Sequence, residues 1–186
     1  LKYKLGTCRE ELNLDKPSRV IFLDIDGVLN SFAEDRRKTI KENGMTNRGY
    51  VTFAEMWCPE EVPSKNLMKI ANSFPNTEVV ISSVWRFQCD SCHIWECLLF
   101  AAGGRTAPIS VHFNTCTPRS VGDKPRGYDI QQWLDKHGEN VEGFVILDDD
   151  SDLEPYMSHA VIVDGEVGLT EADVNKAIEI LGREWV

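Results

Sequence analysis

Five short apolar runs constrain the fold of this chain more than any other feature. They are Val20-Ile-Phe-Leu-Asp24, Glu78-Val-Val-Ile81, Ile109-Ser-Val-His-Phe113, Phe144-Val-Ile-Leu147 and Ala160-Val-Ile-Val163. Runs this short, β-branched and mostly uninterrupted predict parallel strands covered on both faces. Between them the apolar period changes. Leu67, Ile70, Ala71 and Phe74 fall at i, i+3, i+4 and i+7. Ile94, Cys97, Leu98 and Ala101 repeat that spacing, as do Ile130, Trp133, Leu134 and His137, and then Val174, Ala177, Ile178 and Leu181. Each stripe predicts a helix with one buried face. Thr170, with Asp173 three residues on, predicts a capping box for the last helix, and Gly182 its stop. Strand and helix in alternation predict an α/β three-layer sandwich on a mostly parallel sheet of five strands.

A chain of 186 residues suits one domain. Residues 1–18 are polar and mixed and read as an N-terminal arm, leaving 19–186 as the domain. Residues 30–58, with Asn43-Gly44, Gly49 and scattered aromatics, break the rhythm and read as a small flap inserted after the first strand. The chain starts without Met and without a basic-then-apolar leader, which fits a trimmed chain or a fragment. No apolar run is long enough to span a bilayer, so no membrane partner is expected. Six cysteines at irregular spacing do not form a disulfide framework and point to a reducing, cytoplasmic compartment.

Lys and Arg total 20 against 30 Asp and Glu, a formal charge of −10. Such a field disfavours duplex nucleic acid as a stably held partner. Arg36, Arg37, Lys38 and Lys41 offer either a local basic rim or a solvated helix face, and the second is the favoured reading.

The chemistry concentrates where the first run ends. In Phe22-Leu-Asp24-Ile-Asp26-Gly27-Val-Leu-Asn30 an apolar strand delivers two carboxylates two residues apart. With a period of two, both project to one side at the strand's carboxyl end, the edge where open α/β sheets bind ligands. Gly27 lets the chain turn there. Close carboxylates repel, so a hard cation is their natural companion, and a nearby phosphate selects Mg2+. A lone Asp-x-Asp also suits a calcium loop, a nucleotide-sugar transferase or a solvated turn. The early Gly27 and the missing preceding helix exclude an EF-hand.

The whole string resembles the first motif of the haloacid dehalogenase superfamily. That resemblance implies a Rossmann-like sheet ordered 5-4-1-2-3, with Asp24 as the nucleophile and Asp26 as general acid and then base. It also implies three later motifs, and each has a candidate. Val79-Val-Ile-Ser82-Ser83 supplies a hydroxyl for the phosphate, with Ser82 preferred; a Ser that only caps the following loop is the alternative. Lys124 and Arg126 both precede a helix and offer the cation that steadies the nucleophile, with Arg126 preferred; either also reads as a surface charge. Val145-Ile-Leu-Asp148-Asp149 supplies the late acidic pair, Asp149 binding Mg2+ directly and Asp148 supporting it from beside the site. The metal set implied is therefore Asp24, Asp26, Asp148 and Asp149. Asp148, Asp150 and Asp152 also alternate as in a calcium loop, but Leu153 and His159 occupy that loop's Gly and Glu positions.

A closer resemblance spans roughly residues 19–182. Ser82-Ser83-Val-Trp85-Arg86, Thr117-Pro118, Arg126-Gly127 with Ile130-x-x-Trp133-Leu134, Asp148-Asp-Asp-Ser-Asp152 and Gly168-Leu-Thr170 resemble the haloacid dehalogenase domains of bacterial "Swiss army knife" RNA-repair proteins. Arg86 reads equally as a phosphate holder or as a structural ion pair, and Trp85 as packing rather than a stacking platform. Cys89-Asp-Ser-Cys92-His93 spells a haem-attachment pattern, and Cys97 extends it towards a zinc set. Its place in a helical stripe favours ordinary core residues.

The expected activity is Mg2+-dependent phosphomonoester hydrolysis through an aspartyl phosphate. No interval is long enough for a large cap, so the sheet edge is expected to be open to a macromolecular phosphate, an RNA end first and a phosphoprotein second. The rivals are a phosphotyrosine or phosphoserine phosphatase of the same mechanism and a silent phosphate-binding module. Intact Asp24, Asp26 and Asp149 argue against the silent one.

Overall fold

The computed structural model describes residues 18–33, 59–87, 91–103, 112–118 and 124–185. The arm up to residue 17, residues 34–58 of the flap with its basic run, the Cys89 region with the Cys92 and His93 side chains, and residues 109–111 of the expected third strand lie outside them. The elements are β1 (Ser18–Leu23), α1 (Glu61–Ala71), β2 (Thr77–Ile81), α2 (Ser91–Ala101), β3 (His112–Cys116), α3 (Arg126–His137), β4 (Val141–Asp148), β5 (Ala160–Ile162) and α4 (Glu171–Leu181). The sheet has five strands in the order β3-β2-β1-β4-β5, all parallel. This is the expected order.

Alternation along β1 divides the core into two layers. Ile21 and Leu23 join Leu67 and Ile70 of α1, Ile94 and Leu98 of α2, and Val174, Ala177 and Leu181 of α4. Val20 and Phe22 face the other way, onto Ile130, Trp133 and Leu134 of α3. Phe22 meets the Trp133 ring edge-on at 5.3 Å, which seats α3 on the sheet centre. All four helical stripes predicted from the sequence are helices, and three of them share one face of the sheet. The capping box at the start of α4 is present: Asp173 N–H donates to Thr170 Oγ1, and the Asp173 carboxylate accepts from Thr170 N–H.

The third strand differs from expectation. The apolar run suggests residues 109–113, whereas β3 runs on through Asn114-Thr115-Cys116. β3 is the edge strand beyond β2, where polar residues are tolerated, and an apolar criterion cannot see such a strand end.

The strand ladder continues one residue past the strand ends. Asp24 N–H donates to Leu147 O (2.9 Å), Ser82 N–H to Leu23 O (2.8 Å) and Thr117 N–H to Ile81 O (3.0 Å). Leu147, Leu23, Ile81 and Cys116 are in register. The next row across the carboxyl edge is therefore Asp148, Asp24, Ser82 and Thr117, and by alternation it faces α3. No helix among the described residues is long and apolar enough to cross a membrane.

Candidate active site

Asp24 stands at the centre of that row. It is buried, with Oδ1 accepting from Ile25 N–H at 2.7 Å and Oδ2 taking a hydrogen bond from Arg126 Nη1. The same Arg126 nitrogen donates to Asp148 Oδ2 at 2.8 Å. Arg126 is the first residue of α3, and its position is set by the loop after β4. Asp152 Oδ2 accepts from Arg126 N–H (3.0 Å) and Asp152 O from Gly127 N–H (3.1 Å). Gly127 lies so close to that loop that an added Cβ would collide with the backbone of Leu153 and Glu154.

Carboxylate oxygens of Asp24, Asp148 and Asp149 lie within 4.8 Å of one another. Asp148 is fully buried, and its Oδ1 accepts from Asp150 N–H at 3.0 Å. Burial and the charge of Asp24 push its pKa up to about 7, although Arg126 opposes them. Burial, then Asp24, also raises Asp149. Burial works against the Arg126 cation, but Asp24 and Asp148 outweigh it and hold the pKa above its usual value. One arginine among three carboxylates leaves negative charge uncompensated. An oxygen-only cluster of that sign fits a hard divalent cation, with Asp149 able to ligate directly and Asp148 already tied to Arg126 and Asp150 N–H. Gly27, at φ +77°, turns the chain directly over Asp149, and an added Cβ would strike its carboxylate.

The other predicted residues take different places. The Asp26 carboxylate is not part of the acidic group. Its Oδ2 accepts from Trp85 Nε1 at 2.8 Å and its Oδ1 from Asn30 Nδ2 at 3.3 Å. The expectation that both carboxylates of the Asp-x-Asp project together fails because the chain leaves the extended conformation after Leu23, and an isolated bridge joins Asp26 to Asn30. Ser82 is buried beside Asp24, and among the described residues its Oγ has no hydrogen-bond partner; the same holds for Thr117 Oγ1 and Arg86 Nε. Ser83 is buried, and its Oγ accepts from Trp85 N–H at 3.4 Å. Arg86 is a structural ion pair: Nη2 meets Asp129 of α3 at 2.8 Å, and Nη1 donates to the carbonyls of Ser82 and Ser83. Lys124 is exposed and lies over the Tyr128 ring at 5.4 Å. Of the two basic candidates, it is Arg126 that the structure brings to Asp24.

Sequence reasoning missed Trp85 as the partner of Asp26, Asp129 as the partner of Arg86, and Asp152 as the anchor of Arg126. A buried indole needs an acceptor for its N–H, so a polar partner for Trp85 was foreseeable, but which one was not. Asp129 sits in the first turn of a helix, where an acidic residue reads as ordinary dipole compensation.

Compared with known families, residues 20–174 match the HAD domain in Swiss Army Knife RNA repair proteins. The chain belongs to that family. No curated protein and no solved structure gives a significant match. As a HAD domain the chain is a hydrolase of the general phosphatase type, and Asp24, Asp148 and Asp149 are its acidic cluster. The match runs from within β1 to within α4, so it covers every motif in the row at the carboxyl edge.

Proposed function

We propose that the chain is a Mg2+-dependent phosphomonoester hydrolase that passes through an aspartyl phosphate on Asp24. The observation that carries this reading is Arg126 Nη1 bridging Asp24 Oδ2 and Asp148 Oδ2 beside the half-buried Asp149. A carboxylate held on one oxygen by an arginine, with a cation-seeking cluster at its side, is oriented for in-line attack on phosphorus. Mg2+ held by Asp24, Asp148 and Asp149 would offset the repulsion between the carboxylate and the phosphate dianion. Ser82 Oγ, buried next to Asp24 and without a partner among the described residues, supports the same reading as a donor for a phosphate oxygen.

In the first half-reaction the Asp24 carboxylate attacks phosphorus, and the bond to the leaving oxygen breaks as that oxygen takes a proton from Asp26. In the second, Asp26 takes a proton from water, the water oxygen attacks phosphorus, and Asp24 is released as a carboxylate with inorganic phosphate. The substrate we favour is a phosphate on a nucleic-acid end, in keeping with the family's RNA-repair description. The charge of −10 favours a phosphoprotein as the second reading. Turnover of p-nitrophenyl phosphate tests the chemistry. It should require Mg2+, stop on chelation, and be abolished in Asp24→Asn with the fold intact; an active Asp24→Asn variant contradicts the mechanism.

A further inference from the structure

Trp85 is buried at 1% exposure in the core layer shared by α1, α2 and α4, with Ile25, Leu29, Ile94 and Leu98 among its members. A ring packed that closely has one orientation. Its only polar atom, Nε1, is therefore fixed in space, and it lies 2.8 Å from Asp26 Oδ2. Indole N–H donates and cannot accept. Oδ2, facing that donor, cannot carry a proton along the same line. Among the described residues, Asp26 Oδ1 has only the longer contact from Asn30 Nδ2, at 3.3 Å. The loop itself is pinned, with Gly27 N–H donating to Asn30 O at 2.7 Å and Leu29 N–H to Ile25 O at 2.8 Å.

We infer that Trp85 is a positioning residue for proton transfer: its indole N–H holds Asp26 Oδ2 so that Oδ1 is the oxygen that carries the proton to the leaving group and later takes one from water. The inference rests on the phosphatase reading and deepens it. Asp26 stands outside the acidic cluster, on a separate hydrogen-bond system that connects the loop after β1 to the turn at Val84–Phe87 after β2. That separation keeps the acid–base carboxylate away from the cation-binding group while the nucleophile belongs to it. In the first half-reaction the bond between phosphorus and the leaving oxygen breaks, its electron pair stays on that oxygen, and the proton on Asp26 Oδ1 completes the alcohol. The remaining Asp26 carboxylate then keeps the Trp85 hydrogen bond and accepts the proton of the attacking water at Oδ1.

The test separates positioning from packing by the leaving group. A nitrophenolate departs without a proton, whereas an alkoxide does not. Wild type and Trp85→Phe are compared on p-nitrophenyl phosphate and on an alkyl phosphate with Mg2+, with thermal unfolding measured for each. The aryl-to-alkyl ratio of kcat/KM, which reports the leaving-group step and not the hydrolysis common to both esters, should rise at least roughly tenfold in Trp85→Phe, a part of the 10²–10⁴ typical of general acid catalysis. Should Trp85→Phe fail to fold, replacing the indole by benzothienylalanine keeps the shape, removes the N–H, and should raise the same ratio. A folded variant that lowers kcat/KM for both esters equally, or for neither, overturns the inference and leaves the phosphatase reading standing. A wild-type protein that turns over neither ester contradicts the phosphatase reading and the inference with it.

Discussion

Arg126 holds two carboxylates with one nitrogen, and a third carboxylate lies close by. The consequence at the scale of single residues is a pH dependence. Asp148 is raised from an unfolded value near 3.8 to about 7, so between those values the folded chain binds more protons than the unfolded one. Its contribution to stability therefore falls as pH rises through that window, and it is least favourable above about pH 7. Unfolding midpoints of metal-free protein should show this as a deficit, relative to Asp148→Asn, that grows from pH 5 to pH 8. Mg2+ should reduce the deficit, because cation binding favours the ionised carboxylate. Equal pH dependence in the two proteins would show that Asp148 does not titrate in this window. Gly27 gives a second residue-scale prediction. Gly27→Ala places a Cβ at φ +77° against the Asp149 carboxylate. Calorimetric Mg2+ affinity should drop roughly tenfold or more, the effect typical of disturbing the support of a metal ligand. Unchanged affinity would argue against Asp149 as a ligand.

The elements were legible to different degrees, for physical reasons. β1, β2, β4 and β5 carry continuous apolar runs because the described sheet is covered on both faces, and all were visible in the sequence. The polar end of β3 was not, because Asn114 and Thr115 sit on an edge. The helices followed from their stripes, and the start of α4 from Thr170 and Asp173 alone. That cap is local, and Thr170→Ala should lower unfolding free energy by about 1 kcal/mol in chemical denaturation. It should leave kcat unaltered, since the cap takes no part in the row at the carboxyl edge. Within the site, residues on strand ends were readable from the motifs. Partners that reach it from elsewhere, Trp85 to Asp26 and Asp129 to Arg86, depend on how the turn after β2 meets the loop after β1 and the first turn of α3 in space. Sequence spacing does not encode that meeting.

At the scale of the whole molecule, one five-stranded sheet delivers Asp148, Asp24, Ser82 and Thr117 to a single row, and α3 delivers Arg126 onto it. The short interval after β1 argues for a substrate that carries its phosphate on something large. The expected result is a kcat/KM for a phosphorylated oligonucleotide or peptide at least roughly tenfold above that for mononucleotides and sugar phosphates, about 1.4 kcal/mol of transition-state binding. A preference for a small metabolite would mean that the insertion acts as a cap. The central claim is covalent: the phosphoryl group rests on Asp24. Rapid acid quench during turnover of p-nitrophenyl phosphate with Mg2+, followed by peptide mass analysis, reads this directly. Asp26→Asn should accumulate phosphate on the peptide containing Asp24, because the activated aryl ester still phosphorylates while water is no longer deprotonated. Turnover with no phosphorylated peptide, or with the phosphate on a residue other than Asp24, would contradict the account.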